Sequence, residues 1–124
     1  MKRILVVDDG GTVRMYHRTV LEEAGFVVEE AGNGLEGIEK ALDGAYDLLL
    51  VDINMPKMDG LRMVHELRAE AAVREVPAIM ITTESQAKDK EQAYLAGANY
   101  FMIKPVRPDE LRAVALLMTG VTHG

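Results

Sequence analysis

Apolar residues fall along the chain in two alternating rhythms. Short aliphatic runs at Ile4 to Val7, Leu48 to Val51 and Ala78 to Ile81 read as strands buried on both faces. Phe26 to Ala31 is a weaker strand, interrupted by Glu29 and Glu30, and Tyr100 to Ile103 is a further one. Between these runs the spacing turns helical. Val13, Tyr16, His17, Val20, Leu21 and Ala24 recur on one face, with Thr12 as N-cap and Gly25 as the stop. Leu35, Ile38 and Leu42 predict a second helix, closed by Asp43-Gly44, and Leu61, Val64 and Leu67 predict a third. A less apolar helix is predicted from about Ala87 to Ala96, ahead of Gly97. Leu111, Val114, Ala115 and Met118 mark the last.

Strand and helix thus alternate five times with short connections. Such alternation requires right-handed crossovers and a parallel sheet covered by helices on both faces, a doubly wound α/β domain. No repeat or interdomain linker interrupts it, so residues 1–124 read as one domain with no output domain attached. In the flavodoxin-like strand order 2-1-3-4-5, ligands bind at the carboxyl edge where the order reverses. Strand 1 ends in Asp8-Asp9, strand 3 in Asp52, strand 4 in Thr82-Thr83 and strand 5 in Lys104. These are neighbours in that order, although 44, 30 and 22 residues separate them in sequence.

Composition narrows the chemistry. A net charge of −6 argues against nucleic acid and against anionic membranes. The chain has no cysteine, which removes disulfides, thiolate metal sites and cysteine nucleophiles. Met1-Lys2-Arg3 leads into only four apolar residues, too few for a signal peptide or a membrane span, so a cytoplasmic protein is expected.

Three carboxylates in one crevice repel one another, by roughly 4 kcal/mol for a pair about 4 Å apart at an effective dielectric near 20. Lys104 supplies one compensating charge. A hard divalent cation is the natural supplement, and Mg²⁺ suits a few carboxylates with retained water. No histidine or cysteine joins the cluster, which disfavours zinc. A carboxylate beside Mg²⁺, an ammonium group and hydroxyls is equipped to accept a phosphoryl group as a covalent nucleophile. Asp52 is the candidate nucleophile, with Lys104 and the Thr82 hydroxyl placed for the phosphoryl oxygens.

With these residues in hand the chain resembles the receiver domain of two-component response regulators, most closely the single-domain CheY type of bacterial chemotaxis. The motifs are VVDD (Val6 to Asp9), VDINMPKMDG (Val51 to Gly60), ITT (Ile81 to Thr83), AGA (Ala96 to Ala98) and IKP (Ile103 to Pro105). The resemblance implies that Asp52 is the phosphoacceptor. It implies that Asp9 and Asp52 bind Mg²⁺ directly, that Asp8 acts largely through water, and that Asn54 gives a backbone carbonyl. Thr82 matches the switch hydroxyl, beside Thr83, and Lys104 the phosphate-contacting lysine, with Lys104-Pro105 cis. Phe101 stands at the switch aromatic, where chemotaxis regulators usually have Tyr. Asn54 and Glu84 resemble the pairing associated with quick loss of phosphate.

The implied function is a switch rather than an enzyme. A sensor histidine kinase donates the phosphoryl group, and the face of helix 4, strand 5 and helix 5 then recruits a protein such as the flagellar motor switch. A monomer is expected, with slow self-dephosphorylation as a timer. Three other readings compete: a receiver fragment of a larger transcriptional regulator, an aspartyl-nucleophile phosphatase, and an FMN-binding flavodoxin. The phosphatase would place its nucleophile near the chain start and carry a cap domain. The flavodoxin would need a hydroxyl-rich first loop where Asp8-Asp9 would repel phosphate. His17, His65 and His123 read as incidental to all of these.

Overall fold

The computed structural model describes residues 1–83 and 87–121. Its elements follow in the order β1 (Arg3–Val7), α1 (Gly11–Glu23), β2 (Val27–Ala31), α2 (Gly34–Asp43), β3 (Leu48–Asp52), α3 (Gly60–Arg68), β4 (Ala78–Thr82), α4 (Ala87–Ala96), β5 (Tyr100–Ile103) and α5 (Pro108–Thr119). The five strands form one parallel sheet in the order β2-β1-β3-β4-β5. Among the described residues no helix is long and apolar enough to cross a membrane.

Because successive strand residues point to opposite faces, each aliphatic run feeds two cores. Ile4, Val6, Leu48 and Leu50 pack with Val20 and Leu21 of α1 and with Leu111 and Ala115 of α5. Leu5, Val7, Leu49 and Val51 pack with Ala41 of α2, Met63 and Val64 of α3 and Ala93 of α4. Each fully buried aliphatic side chain contributes about 1.5–3 kcal/mol. The central strands are therefore held rigidly, and so are the residues that end them.

Two local expectations are corrected. Thr12 is not the N-cap of α1: the helix starts earlier, and Gly10 occupies the cap without a side-chain bond. The Asp8 carboxylate fixes the turn instead, accepting the Gly10 N–H at 2.9 Å. In α2 the spacing of Leu35 and Leu42 located the helix but not its buried face, since they are 50% and 44% exposed. The buried positions are Gly34, Gly37 and Ala41, with Ile38, as expected, packed partly buried against the same core. A Cβ at Gly34 would lie 2.5 Å from the Met58 carbonyl oxygen, and one at Gly37 would lie 2.8 Å from Met63 Cε. Close approach to the loop before α3 at Gly34, and to α3 at Gly37, demands small residues there and leaves the leucines outward.

Elsewhere the caps act locally. Asn33 Oδ1 accepts the Glu36 N–H at 2.9 Å while Glu36 Oε2 accepts the Gly32 N–H at 3.1 Å, a reciprocal cap for α2. Asp59 Oδ1 accepts the Arg62 N–H at 2.8 Å and starts α3. Gly25, with φ 97°, lies just past the end of α1 in the left-handed region that favours glycine.

Candidate functional site

Four adjacent strands deliver polar groups to one edge. Asp8 follows β1 directly, and its N–H continues the ladder to the Ala31 carbonyl at 3.1 Å. Its side chain is 1% exposed, whereas Asp9 points to solvent. Asp52 ends β3 at 4% exposure, and Thr82 ends β4 at 1%. Lys104 follows β5, its N–H donating to the Thr82 carbonyl at 2.8 Å. The strand order thus brings together Asp8, Asp9, Asp52, Thr82 and Lys104.

Asp8, Asp9 and Asp52 each offer a carboxylate oxygen, all within 4.8 Å of one another, a spacing that one cation can bridge. Lys104 Nζ donates to Asp8 Oδ2 at 2.8 Å and stands 3.4 Å from Asp52 Oδ1. The Asn54 side chain reaches across and donates to Thr82 Oγ1 at 3.0 Å. Thr83 lies exposed beyond β4 and borders a neighbouring cleft rather than the acids. Phe101 packs on the α2–α4 side of the sheet while Tyr100 packs on the α1–α5 side. The Lys104-Pro105 peptide bond is cis. Glu84 lies outside the described residues.

Charge in this crevice is unbalanced. Burial, and then the Asp8 carboxylate, push the Asp52 carboxyl up to about 6. Lys104 and the Asn54 N–H pull the other way without winning. For Lys104 itself, burial opposes the charge, yet the hydrogen bond to Asp8 and the two carboxylates hold its pKa above the ordinary value. One ammonium cannot compensate three acids.

Two contributors escaped the sequence reading. Arg14 donates from Nη1 to the Asp8 carbonyl at 2.5 Å and from Nε to Glu30 at 3.0 Å, bracing the first acid against β2. Nothing in its place on a helical surface distinguished it from a solvated arginine. Gly60 donates its N–H to the Ile53 carbonyl at 2.8 Å, and a Cβ there would lie 2.2 Å from the Asp52 carbonyl oxygen. The loop after Asp52 folds back tightly because that residue has no side chain; the Asp59-Gly60 pair signalled only a turn.

Comparison with known proteins agrees with this arrangement. The family model described as response regulator receiver domain matches residues 4–116. The transcriptional regulatory protein ResD of Bacillus subtilis is 38% identical over 117 residues, 93% of this chain but 48% of its own length. This chain therefore spans about half of ResD. The chemotaxis protein CheY1 of Helicobacter pylori (strain 26695) is 40% identical, covering 95% of this chain and 97% of that protein. Among solved structures, Vibrio cholerae CheY4 superposes with a TM-score of 0.90 at 31% identity, over 95% of this chain and 98% of that one. The receiver domain of a Pseudomonas aeruginosa sensor histidine kinase, solved with a magnesium ion coordinated in its active site cleft, gives 0.90 at 28% identity over 96% and 98%. The sheet order, the acid cluster and the family match converge, and the chain belongs to the response regulator receiver domain family.

Proposed function

We propose that this receiver accepts a phosphoryl group on Asp52 from a phosphohistidine of a sensor histidine kinase. The observation that carries the reading is the placement of Asp52, buried at a strand end, with two more acids and one ammonium around it. An Asp52 oxygen forms the new O–P bond as the donor's N–P bond breaks, so the carboxylate must be ionised. Lys104 favours that form and, once the phosphoryl group arrives, pairs with one of its oxygens. Thr82 offers its hydroxyl to another.

Asp8, Asp9 and Asp52, with the Asn54 carbonyl, would hold Mg²⁺, and the all-oxygen donor set with its uncompensated negative charge fits that ion. When bound, Mg²⁺ supplies positive charge to the acids and to the phosphoryl oxygens. The Pseudomonas aeruginosa relative with magnesium in its cleft supports the assignment.

The phosphoryl group then biases a two-state surface made by α4, β5 and α5. Leu95, Ile103 and Leu117 are 73%, 44% and 76% exposed on these elements, apolar groups suited to a protein partner. The match to the chemotaxis protein CheY1 favours a receiver whose partner is the flagellar motor switch, with no small-molecule turnover. The match to ResD favours a second reading, in which the same face serves the receiver of a transcriptional regulator.

The phosphoacceptor assignment is tested by intact mass after incubation with Mg²⁺ and acetyl phosphate. Wild type gains one phosphoryl group and Asp52→Asn gains none. An equal gain by the variant, or no gain by either, overturns it.

A further inference from the structure

Asp8 is held from four directions. Its N–H donates to the Ala31 carbonyl at 3.1 Å, its Oδ1 accepts the Gly10 N–H at 2.9 Å, and its Oδ2 accepts from Lys104 Nζ at 2.8 Å. The fourth hold comes from outside the crevice, where Arg14 Nη1 donates to the Asp8 carbonyl at 2.5 Å. That carbonyl belongs to the peptide joining Asp8 to Asp9, so the arginine grips the backbone between the two acids. Asp9 itself is exposed, and Gly10 and Gly11 bring no side chain to tie the turn down. The cap of α1 at Gly10 has no side-chain bond either. The place of the Asp9 carboxylate is therefore decided by its backbone, and Arg14 fixes the peptide on which it stands.

The rest of the guanidinium is anchored as well. Arg14 Nε donates to Glu30 Oε1 at 3.0 Å, and Glu30 accepts in turn from Arg18 Nη1 at 2.8 Å. A Cβ at Gly11 would lie 3.7 Å from Arg14 Nη2, and one at Gly32 would lie 3.7 Å from Nη1, so the group sits against both loops. A rigid planar fork can serve a carbonyl and a carboxylate at once, whereas a lysine ammonium is a point charge on a flexible stem. Charge alone gives no reason for an arginine here. A cation beside three acids opposes a divalent ion, so electrostatics and positioning predict opposite signs when Arg14 is removed.

We propose that Arg14 is a positioning residue for the metal site: by joining the Asp8–Asp9 peptide to Glu30 of β2, it sets the affinity of the acid cluster for Mg²⁺. The inference rests on the reading of that cluster as a Mg²⁺ site. Groups that hold a metal's ligands from behind are typically worth roughly 10–100-fold in affinity.

The test titrates Mg²⁺ into the ¹⁵N-labelled chain and follows the amide shifts of Asp9 and Gly10, the dispersed spectrum reporting that each variant is folded. Arg14→Met keeps the stem and should raise Kd about tenfold, the low end of that range. Arg14→Lys keeps the charge without the fork and should fail to restore wild-type affinity. Arg18→Met, which takes a cation from Glu30 but none from Asp8, should bind as wild type does. If Arg14→Met does not fold, Arg14→Gln takes its place. An Arg14 variant that binds Mg²⁺ as tightly as wild type, or more tightly, overturns the proposal, and so does an equal loss in Arg18→Met. A wild type that takes up no Mg²⁺ brings down the metal-site reading along with it.

Discussion

Two groups of acids in this domain are treated in opposite ways. Glu30, near the end of edge strand β2, sits between Arg14 at 3.0 Å and Arg18 at 2.8 Å. The Arg18 hydrogen bond in particular holds its carboxyl below the usual range. Glu29 is held down by Arg3 in the same way. Asp52 sits deeper, shares one lysine with Asp8, and is pushed up to about 6. Arg14 touches both regions, since it also braces the Asp8 carbonyl. At the edge, two cations meet one acid in partial solvent. In the crevice, one cation meets three acids, two of them buried. The edge is balanced as folded; the crevice carries a standing deficit of positive charge, and that deficit is what a divalent cation would fill.

The sharpest way to expose the deficit is to enlarge it. Lys104→Met removes the crevice's cation while keeping the bulk of the stem. In EDTA near pH 8, unfolding in urea should show a loss of about 3 kcal/mol, as expected when a buried ion pair loses one partner. Near pH 5 the loss should shrink, because Asp52 then carries a proton and needs less compensation. An identical loss at both pH values would mean that Lys104 contributes packing and not charge.

Relieving the deficit should act with the opposite sign. Asp52→Asn in EDTA near pH 8 should stabilise the domain by up to about 3 kcal/mol, the order implied by a carboxyl moved from 3.8 up to about 6. Such a carboxyl contributes stability that is complete below its unfolded pKa and is lost as pH rises through about 6. His17 runs the other way. Burial lowers it from 6.5 to about 4, so its contribution is complete above 6.5 and is lost as pH falls toward 4. The two slopes oppose each other across the same window in the wild type. Asp52→Asn should therefore unmask a stability that rises with pH between about 4 and 6.5. A variant no more stable than wild type, or with no steeper rise, would contradict the origin assigned to the Asp52 shift.

The crevice was legible in the sequence for a reason the edge lacks. Parallel strand order converts four separated strand ends into neighbours, so Asp8, Asp52, Thr82 and Lys104 could be brought together before any coordinates. One aliphatic run ending in an acid would read as a solvated strand end; it is the convergence of several polar strand ends on one edge that signals chemistry. Arginines on α1 and glutamates on β2 are ordinary surface residues, and no spacing rule says that Arg14 and Arg18 straddle Glu30. Glu29 and Glu30 looked like interruptions of β2, whereas the structure places them, half-buried, at a sheet edge where charge is tolerated. His17 fitted the helical period of α1 and read as incidental; that its Nδ1 is buried without a hydrogen-bond partner depends on the side chains packed around it in three dimensions. Leu35 and Leu42 misled for a related reason, because the period locates a helix while its neighbours choose the buried face.

The smallest effect discriminates most directly between the two regions. Glu30→Gln removes a half-exposed carboxylate from between two arginines. Its lowered pKa means the stabilisation is complete above its ordinary value of 4.5 and is lost as pH falls below that. Near pH 7 the variant should lose no more than about 1 kcal/mol, the usual worth of exposed ion pairs. Ionic strength then separates edge from crevice. At about 1 M salt the screening length falls to roughly 3 Å, so the Glu30 contribution should largely vanish. The Lys104→Met loss should survive, because ions cannot enter between Lys104 and an acid that is 1% exposed. If both losses fade together, the crevice is wetter than its geometry says, and the raised pKa of Asp52 would have to come from the neighbouring charge of Asp8 more than from burial.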